Sequence, residues 1–182
     1  MKNITYITGN QKKAEYLEKY LGHPISHQKI DLDEIQSLDL KEIVKHKVRQ
    51  AYNIVKGPVV VEDTSFEFNA FGKLPGPFIK YFLKEMSYEN TCALLDGKDR
   101  AVVARCMYGY FDGKKEMYFE GSMDGTLALK PAGDGAFGFG KIFMPKGYTM
   151  TQAELGPEDH EIVYTTIKPI KQLKDFLLTL HD

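Results

Sequence analysis

Three β-branched apolar residues, Val59-Val60-Val61, run directly into two carboxylates, Glu62 and Asp63, and then Thr64. Such a run reads as a strand buried on both faces inside a mostly parallel sheet. Carboxylates at its end are costly against an apolar core unless a cation or strong donors sit beside them. In open α/β sheets, ligands bind in the crevice beyond the carboxyl ends of the strands. The segment therefore fits a metal-binding or general-base carboxylate pair. It fits an exposed acidic turn equally well, and on these residues alone both readings stand.

Cations occur at three further places where they could meet an anion. Thr8-Gly9-Asn10-Gln11-Lys12-Lys13 follows a short apolar strand at 4–7 and precedes a helical pattern with Ala14, Leu17 and Leu21 on one face, stopped by Gly22. Strand, glycine turn, helix is the arrangement that aims backbone N–H groups at an anion. With Asn10 as N-cap, Lys12 and Lys13 fall in the first turn, where the macrodipole disfavours cations and a bound phosphate would reverse that penalty. An ordinary capped helix is the alternative, since Thr8 and Gln11 fit a capping box. The GxxxxGK[ST] spacing of a Walker loop is absent. Lys47 projects from the edge of a buried helical stripe, either snorkelling to solvent or reaching a phosphate. Lys80 again falls in the first turn of an expected helix.

The elements that must hold these residues follow from pattern. A second strand is expected at 26–30, then an acidic stretch, Asp31-Leu32-Asp33-Glu34, of the kind that is usually just solvated. A helix over 39–56 buries Leu40, Ile43, Val44, Val48, Ala51 and Val55, and Gly57-Pro58 ends it. Phe66, Phe68 and Phe71 lead into Leu74-Pro75-Gly76-Pro77, with Pro77 opening a helix to about 86 and Phe78, Phe82 and Leu83 turned inward. A shorter helix spans about 88–95, with Cys92 as a core residue. Residues 101–111 and 115–120, joined at Asp112-Gly113, form a hairpin. Thr151 caps a single helical turn to Leu155, and the chain closes in a helix over 167–180 with Pro169 near its start.

Bulk properties narrow the classes. At 182 residues the chain suits one large domain or two intimately joined lobes, and no repeat or linker marks a boundary. A net charge of -1 excludes the broad basic field that non-specific nucleic-acid binding needs. Cys92 and Cys106 lack metal spacing and suggest a reduced compartment rather than a disulfide scaffold. With no signal-peptide pattern and no apolar run of membrane-spanning length, a cytoplasmic, membrane-free protein is expected.

Taken together, Thr8-Gly9-Asn10-Gln11-Lys12-Lys13-Ala14-Glu15, Val61-Glu62-Asp63-Thr64 and Leu74-Pro75-Gly76-Pro77-Phe78-Ile79-Lys80 resemble the inosine triphosphate pyrophosphatase family, enzymes that clear non-standard purine nucleoside triphosphates. The similarity runs over most of residues 3–155. It implies an α/β fold with an elongated mixed sheet and flanking helices, 1–182 forming a single domain whose two lobes flank a central cleft. It also implies a Mg²⁺ requirement and a homodimer. Position by position, Thr8, Gly9, Asn10, Gln11, Lys12 and Lys13 match the triphosphate loop, and Lys47 and Lys80 match phosphate-binding lysines. Glu34 matches a metal ligand. Glu62 and Asp63 match the catalytic acidic pair, with Asp63 as general base or metal ligand.

The second half departs from the family pattern. Where members read Phe-Gly-aromatic-Asp-Pro, this chain has Phe137-Gly138-Phe139-Gly140-Lys141; where they read Ser-His-Arg, it has Tyr164-Thr165-Thr166, and His160 stands for the preceding lysine. Phe139 can still stack on a base, but the groups that read its edge are missing, and such groups carry discrimination. The expected activity is hydrolysis of a non-standard purine NTP to NMP and pyrophosphate with Mg²⁺. Two alternatives stand beside it. One is a nucleotide-binding homologue with little turnover, the other a pyrophosphatase for a different modified or pyrimidine NTP.

Overall fold

The computed structural model describes residues 4–22, 25–134 and 138–181; Phe137 of the glycine-aromatic motif lies outside them. Seven strands form a mixed sheet among the described residues: β1 (Thr5–Ile7), β2 (Ser26–Gln28), β3 (Val59–Phe68), β4 (Pro75–Gly76), β5 (Ala101–Phe111), β6 (Glu116–Leu127) and β7 (Phe143–Pro145). Six α-helices accompany it among the described residues: α1 (Gln11–Leu21), α2 (Leu40–Val55), α3 (Ile79–Glu85), α4 (Ser87–Ala93), α5 (Pro157–Ile167) and α6 (Ile170–Leu178). The hydrogen-bonded order is β2-β1-β3-β5-β6-β7, with β4 paired to β3. β1 runs parallel to β2 and β3, whereas β3–β4 and β6–β7 are antiparallel.

By internal contacts the chain groups into two units. Unit 1 takes in Met1–Asp63, Met107–Glu120 and Pro169–Asp182, and unit 2 takes in Thr64–Cys106 and Gly121–Lys168. The divisions fall inside β3, β5 and β6 or beside a helix end, which is why no linker signals them in the sequence.

Unit 1 is built on the 3.6-residue stripe of α2. Leu40, Val44, Val48 and Ala51 pack with Val59, Val61, Ile7 and Met107 into one core cluster. Asp39 caps the helix, its carboxylate accepting from the Lys41 and Glu42 amides. The helix stops at Lys56, which adopts the left-handed conformation (φ 59°) before Gly57. α1 is capped by Asn10 and closed by Gly22 at φ 74°. Its buried residues are Ala14, Leu17 and Leu21, and it packs on α6.

Unit 2 holds a second core of Phe66, Phe68, Ile79, Cys92, Leu95, Val102, Ala104, Cys106, Leu127, Ile142, Phe143, Val163 and Ile167. Its aromatics meet edge to face, Phe66 with Phe68 at 5.5 Å and Phe66 with Phe143 at 5.6 Å.

Four expectations need correction. β3 does not end at the carboxylates but continues to Phe68, because alternating inward residues pair its second half with β4, Phe66 opposite Gly76. α3 begins at Ile79 rather than Pro77, since Pro75-Gly76 is spent on β4; Ile79, not Phe78, is the fully buried residue. The C-terminal helix begins at Ile170 rather than at 167, since Pro169 takes its N-cap, and a separate helix with no counterpart among the expected elements, α5, fills 157–167. α5 has its own start signal, Pro157 followed by Glu158 and Asp159 in the first turn.

Candidate active site

The expected residues of unit 1 gather around two lysines. β1 pairs with β3 in the register Thr5 to Val59 and Tyr6 to Val60, so β1 has ended by the level of Glu62. Glu62 and Asp63 are mid-strand in β3 but stand beyond the carboxyl end of its parallel neighbour, where the turn 8–10 leaves the sheet.

That turn is fixed by its own polar groups. The Thr8 amide donates to the Gln28 carbonyl at 3.0 Å. The Thr8 hydroxyl oxygen accepts from the Asn10 amide at 3.1 Å, and the Asn10 side chain accepts from the Lys13 amide. The cap is thus Asn10, and the Thr8–Gln11 capping box does not form; Gln11 instead donates to Glu15. α1 has no acidic residue in its first turn, only Lys12 and Lys13, which leaves its positive end uncompensated by local carboxylates.

Adjacent residues of a strand point to opposite faces, and the two carboxylates accordingly take different partners. Lys13 Nζ donates to Glu62 Oε1 at 2.5 Å, and the Glu62 side chain is only 5% exposed. Asp63 meets Lys47 Nζ at 3.0 Å, and the same ammonium reaches Glu34 Oε1 at 3.2 Å. The converging carboxylates are therefore Glu34 and Asp63, 29 positions apart, rather than the sequence neighbours Glu62 and Asp63. Burial works to lower the Lys47 pKa, but the charges and hydrogen bonds of Asp63 and Glu34 outweigh it and raise the value above 10.5. Lys47 is a full cation at any physiological pH.

Glu34 owes its place to α2. Gln50 accepts from the Asp33 amide at 2.8 Å and donates to the Asp33 carboxylate at 2.7 Å. At the other end of the loop, Ser37 donates to Glu42 at 2.8 Å and accepts from the Asp39 amide. Neither this stapling nor the placement of Lys29 follows from a spacing pattern in the sequence. An added Cβ at Gly9 would stand 3.1–3.4 Å from the Lys29 methylenes, so that side chain lies across the turn. A glycine at ordinary φ, open to close approach, was the only available signal.

Lys80 and Phe139 lie in unit 2. Lys80 is in the first turn of α3, its ammonium 4.9 Å from the Tyr81 ring. α3 packs against the 138–141 turn, and the Tyr88 hydroxyl donates to the Gly138 carbonyl. Phe139 stacks on Phe66 at 4.5 Å and 4°, so one face of its ring is already covered. Lys141 donates to Asp134 at 3.1 Å. Thr165 and Thr166 turn their hydroxyls back onto the Glu161 and Ile162 carbonyls of α5. His160 stacks on Tyr164 at 6.1 Å, and burial depresses its pKa below the ordinary 6.5. A histidine held neutral supports the fold above that pH and loses its contribution as pH falls. His160→Gln should therefore flatten the decline in melting temperature between pH 7 and 5, as followed by thermal unfolding.

Among the described residues no cluster of three or more His, Cys, Asp and Glu side chains could hold a metal ion. Mg²⁺ asks for less, keeping several waters and taking one or two carboxylates besides substrate phosphates. Glu34 and Asp63 already share one cation, the Lys47 ammonium, and so fit that donor set. No described helix is long and apolar enough to cross a membrane.

The Ham1 family profile matches residues 4–176, and the chain belongs to that family. It is 37% identical to inosine triphosphate pyrophosphatase 2 of Trypanosoma cruzi, over 94% of this chain and 90% of that protein. It is likewise 37% identical to the inosine triphosphate pyrophosphatase of Ajellomyces capsulatus, over 97% of each chain. The solved structure of a HAM1 protein from Coxiella burnetii superimposes with a TM-score of 0.82 at 19% identity, over 98% of this chain and all of that one, a match of fold.

Proposed function

We propose that this chain hydrolyses a nucleoside triphosphate between the α- and β-phosphates, releasing NMP and pyrophosphate, with a non-standard purine NTP as substrate. The carrying observation is the Glu34–Lys47–Asp63 bridge beside a lysine-rich helix start, in a chain 37% identical to named inosine triphosphate pyrophosphatases. Glu34 and Asp63 would hold Mg²⁺, which would supply charge neutralisation for the phosphates and Lewis acidity. Thr8, Gly9, Asn10 and Gln11 shape the turn that meets the triphosphate together with Lys12 and Lys13, the Thr8 and Asn10 amides being already bonded within the protein. Lys47 and Lys80 add charge along the phosphates. Asp63 accepts the proton of the attacking water, and Glu62 assists by anchoring Lys13. Phe139 offers its remaining face to the base.

The 1–182 chain as one two-lobed domain, the homodimer and a cytoplasmic setting belong to the same reading. The family resemblance supports them, and the burial of Cys92 and Cys106 fits a reduced compartment.

One observation favours a shifted substrate. The hydroxyls of Thr165 and Thr166 are spent on their own helix and Lys141 is paired with Asp134, so the edge of a 6-keto purine lacks its usual readers. A panel of standard, deaminated and pyrimidine NTPs with Mg²⁺, scored for pyrophosphate release, tests both readings. Preference for ITP or XTP supports the first, preference for another NTP the second. Tight binding with no release from any of them leaves a nucleotide-binding homologue.

A further inference from the structure

We propose that Lys47 competes with the divalent metal for Glu34 and Asp63, so that metal binds strongly only together with a polyphosphate that draws the lysine away. This rests on the reading of Glu34 and Asp63 as the metal carboxylates. The Lys47 ammonium has three donors, and two are committed, at 3.2 Å to Glu34 and 3.0 Å to Asp63. Its backbone is anchored in α2, whose neighbouring Val44 and Val48 are buried. The two hydrogen bonds hold the ammonium at the carboxylates. The Lys47 side chain is 14% exposed and that of Asp63 18%, so that pairing is not one that bulk water screens away, while Glu34, at 34%, is the more solvated partner.

A divalent ion approaching these two carboxylates alone meets lone pairs already accepting hydrogen bonds and a positive charge in van der Waals range. It can enter only if the ammonium leaves, and a buried ammonium leaves only toward another anion. A phosphate chain beside the α1 start supplies that anion. Once Lys47 donates to phosphate oxygens, both carboxylates are open to the metal. Affinity for the metal and affinity for the polyphosphate are thus coupled through one side chain, and each must raise the other. The protein is consequently a poor metal binder by itself, which keeps it from taking up adventitious cations between turnovers.

The test measures Mn²⁺ binding to the nucleotide-free, full-length protein by electron paramagnetic resonance of free Mn²⁺, with thermal unfolding in parallel. Lys47→Met should bind Mn²⁺ at least tenfold more tightly than the wild type. It should also gain a Mn²⁺-dependent rise in melting temperature that the wild type lacks. Lys47→Arg, which keeps the charge, should behave as the wild type, and Lys47→Met with Asp63→Asn should lose the gain. Equal Mn²⁺ affinity in the wild type and Lys47→Met overturns the proposal, as does tight binding by Lys47→Arg. Should Lys47→Met fail to fold, Lys47→Gln carries the same comparison. An active enzyme in which Lys47→Met gains no Mn²⁺ affinity refutes the competition alone. The Mn²⁺ gain without pyrophosphate release from any NTP leaves the competition standing and refutes the hydrolase.

Discussion

Asp63→Asn is expected to lower the rate of pyrophosphate release by about 10²–10⁴-fold, the usual contribution of a positioned general base. The fold should survive. The introduced amide is isosteric with the carboxylate, its carbonyl oxygen can still accept from Lys47, and Glu34 keeps the second hydrogen bond of that ammonium. What disappears is the negative charge and the ability to take a proton. Because β3 continues on both sides of Asp63 with Val61 and Ser65 buried, the side chain cannot be replaced by a neighbour without slipping the strand by two residues. Steady-state turnover on the best NTP, with a melting curve beside it, decides the matter. Turnover within about threefold of the wild type, far less than a lost base costs, removes Asp63 from the chemistry. A collapse of the melting transition would instead mean that Asp63 serves the fold.

A large effect on both stability and the site is expected at a residue with no side chain. An added Cβ at Gly109 on β5 would lie 2.6 Å from Val44 Cγ1 and 3.5 Å from Val48 Cβ and Val61 Cγ2. Valine in a helix has one strongly preferred χ1, so the methyl cannot swing aside cheaply. The only relief is to lift α2 off the sheet. Gly109→Ala should cost about 1–3 kcal/mol, the usual penalty for overpacking. That is a fall in melting temperature of about 2–12 °C for a chain of this size. The lift also displaces Lys47, since Val44 and Val48 flank it, so kcat should fall further than the loss of folded protein explains. Pairing Gly109→Ala with Val44→Ala tests the cause, because removing the struck methyl should return part of the stability.

Much of the frame is legible in the sequence. The stripe Leu40, Val44, Val48 and Ala51 and, from the apolar run, Val59 and Val61 name the same core that packs in unit 1, because helical period and an unbroken β-branched run are strong local signals. Asn10 and Asp39 are legible as caps or helix starts from residue type. The end of β3 is not. A carboxylate in mid-strand breaks the hydrophobic pattern locally, and only the partner lysines make it tolerable. α5 escapes notice because its outward residues are mixed and its inward ones, Val163 and Ile167, are few. The convergence of Glu34 with Asp63 is a tertiary fact. No spacing rule connects such distant positions, and only the family resemblance suggests that Glu34 is more than a solvated acid. The strand rule could have separated Glu62 from Asp63 at once, since consecutive residues of an extended chain cannot serve one ion on one face.

The loop bearing Glu34 has no regular structure, yet Gln50 grips it at Asp33 and Glu42 at Ser37, both from the body of α2. Freezing such a coil segment ordinarily costs about 1–2 kcal/mol for each residue ordered. Here that entropy is surrendered when the helix folds, not when a substrate arrives. Binding energy from the phosphates is thereby left for the reacting centre, and a residue such as Gln50, remote from any chemistry, becomes a determinant of how tightly the substrate is held.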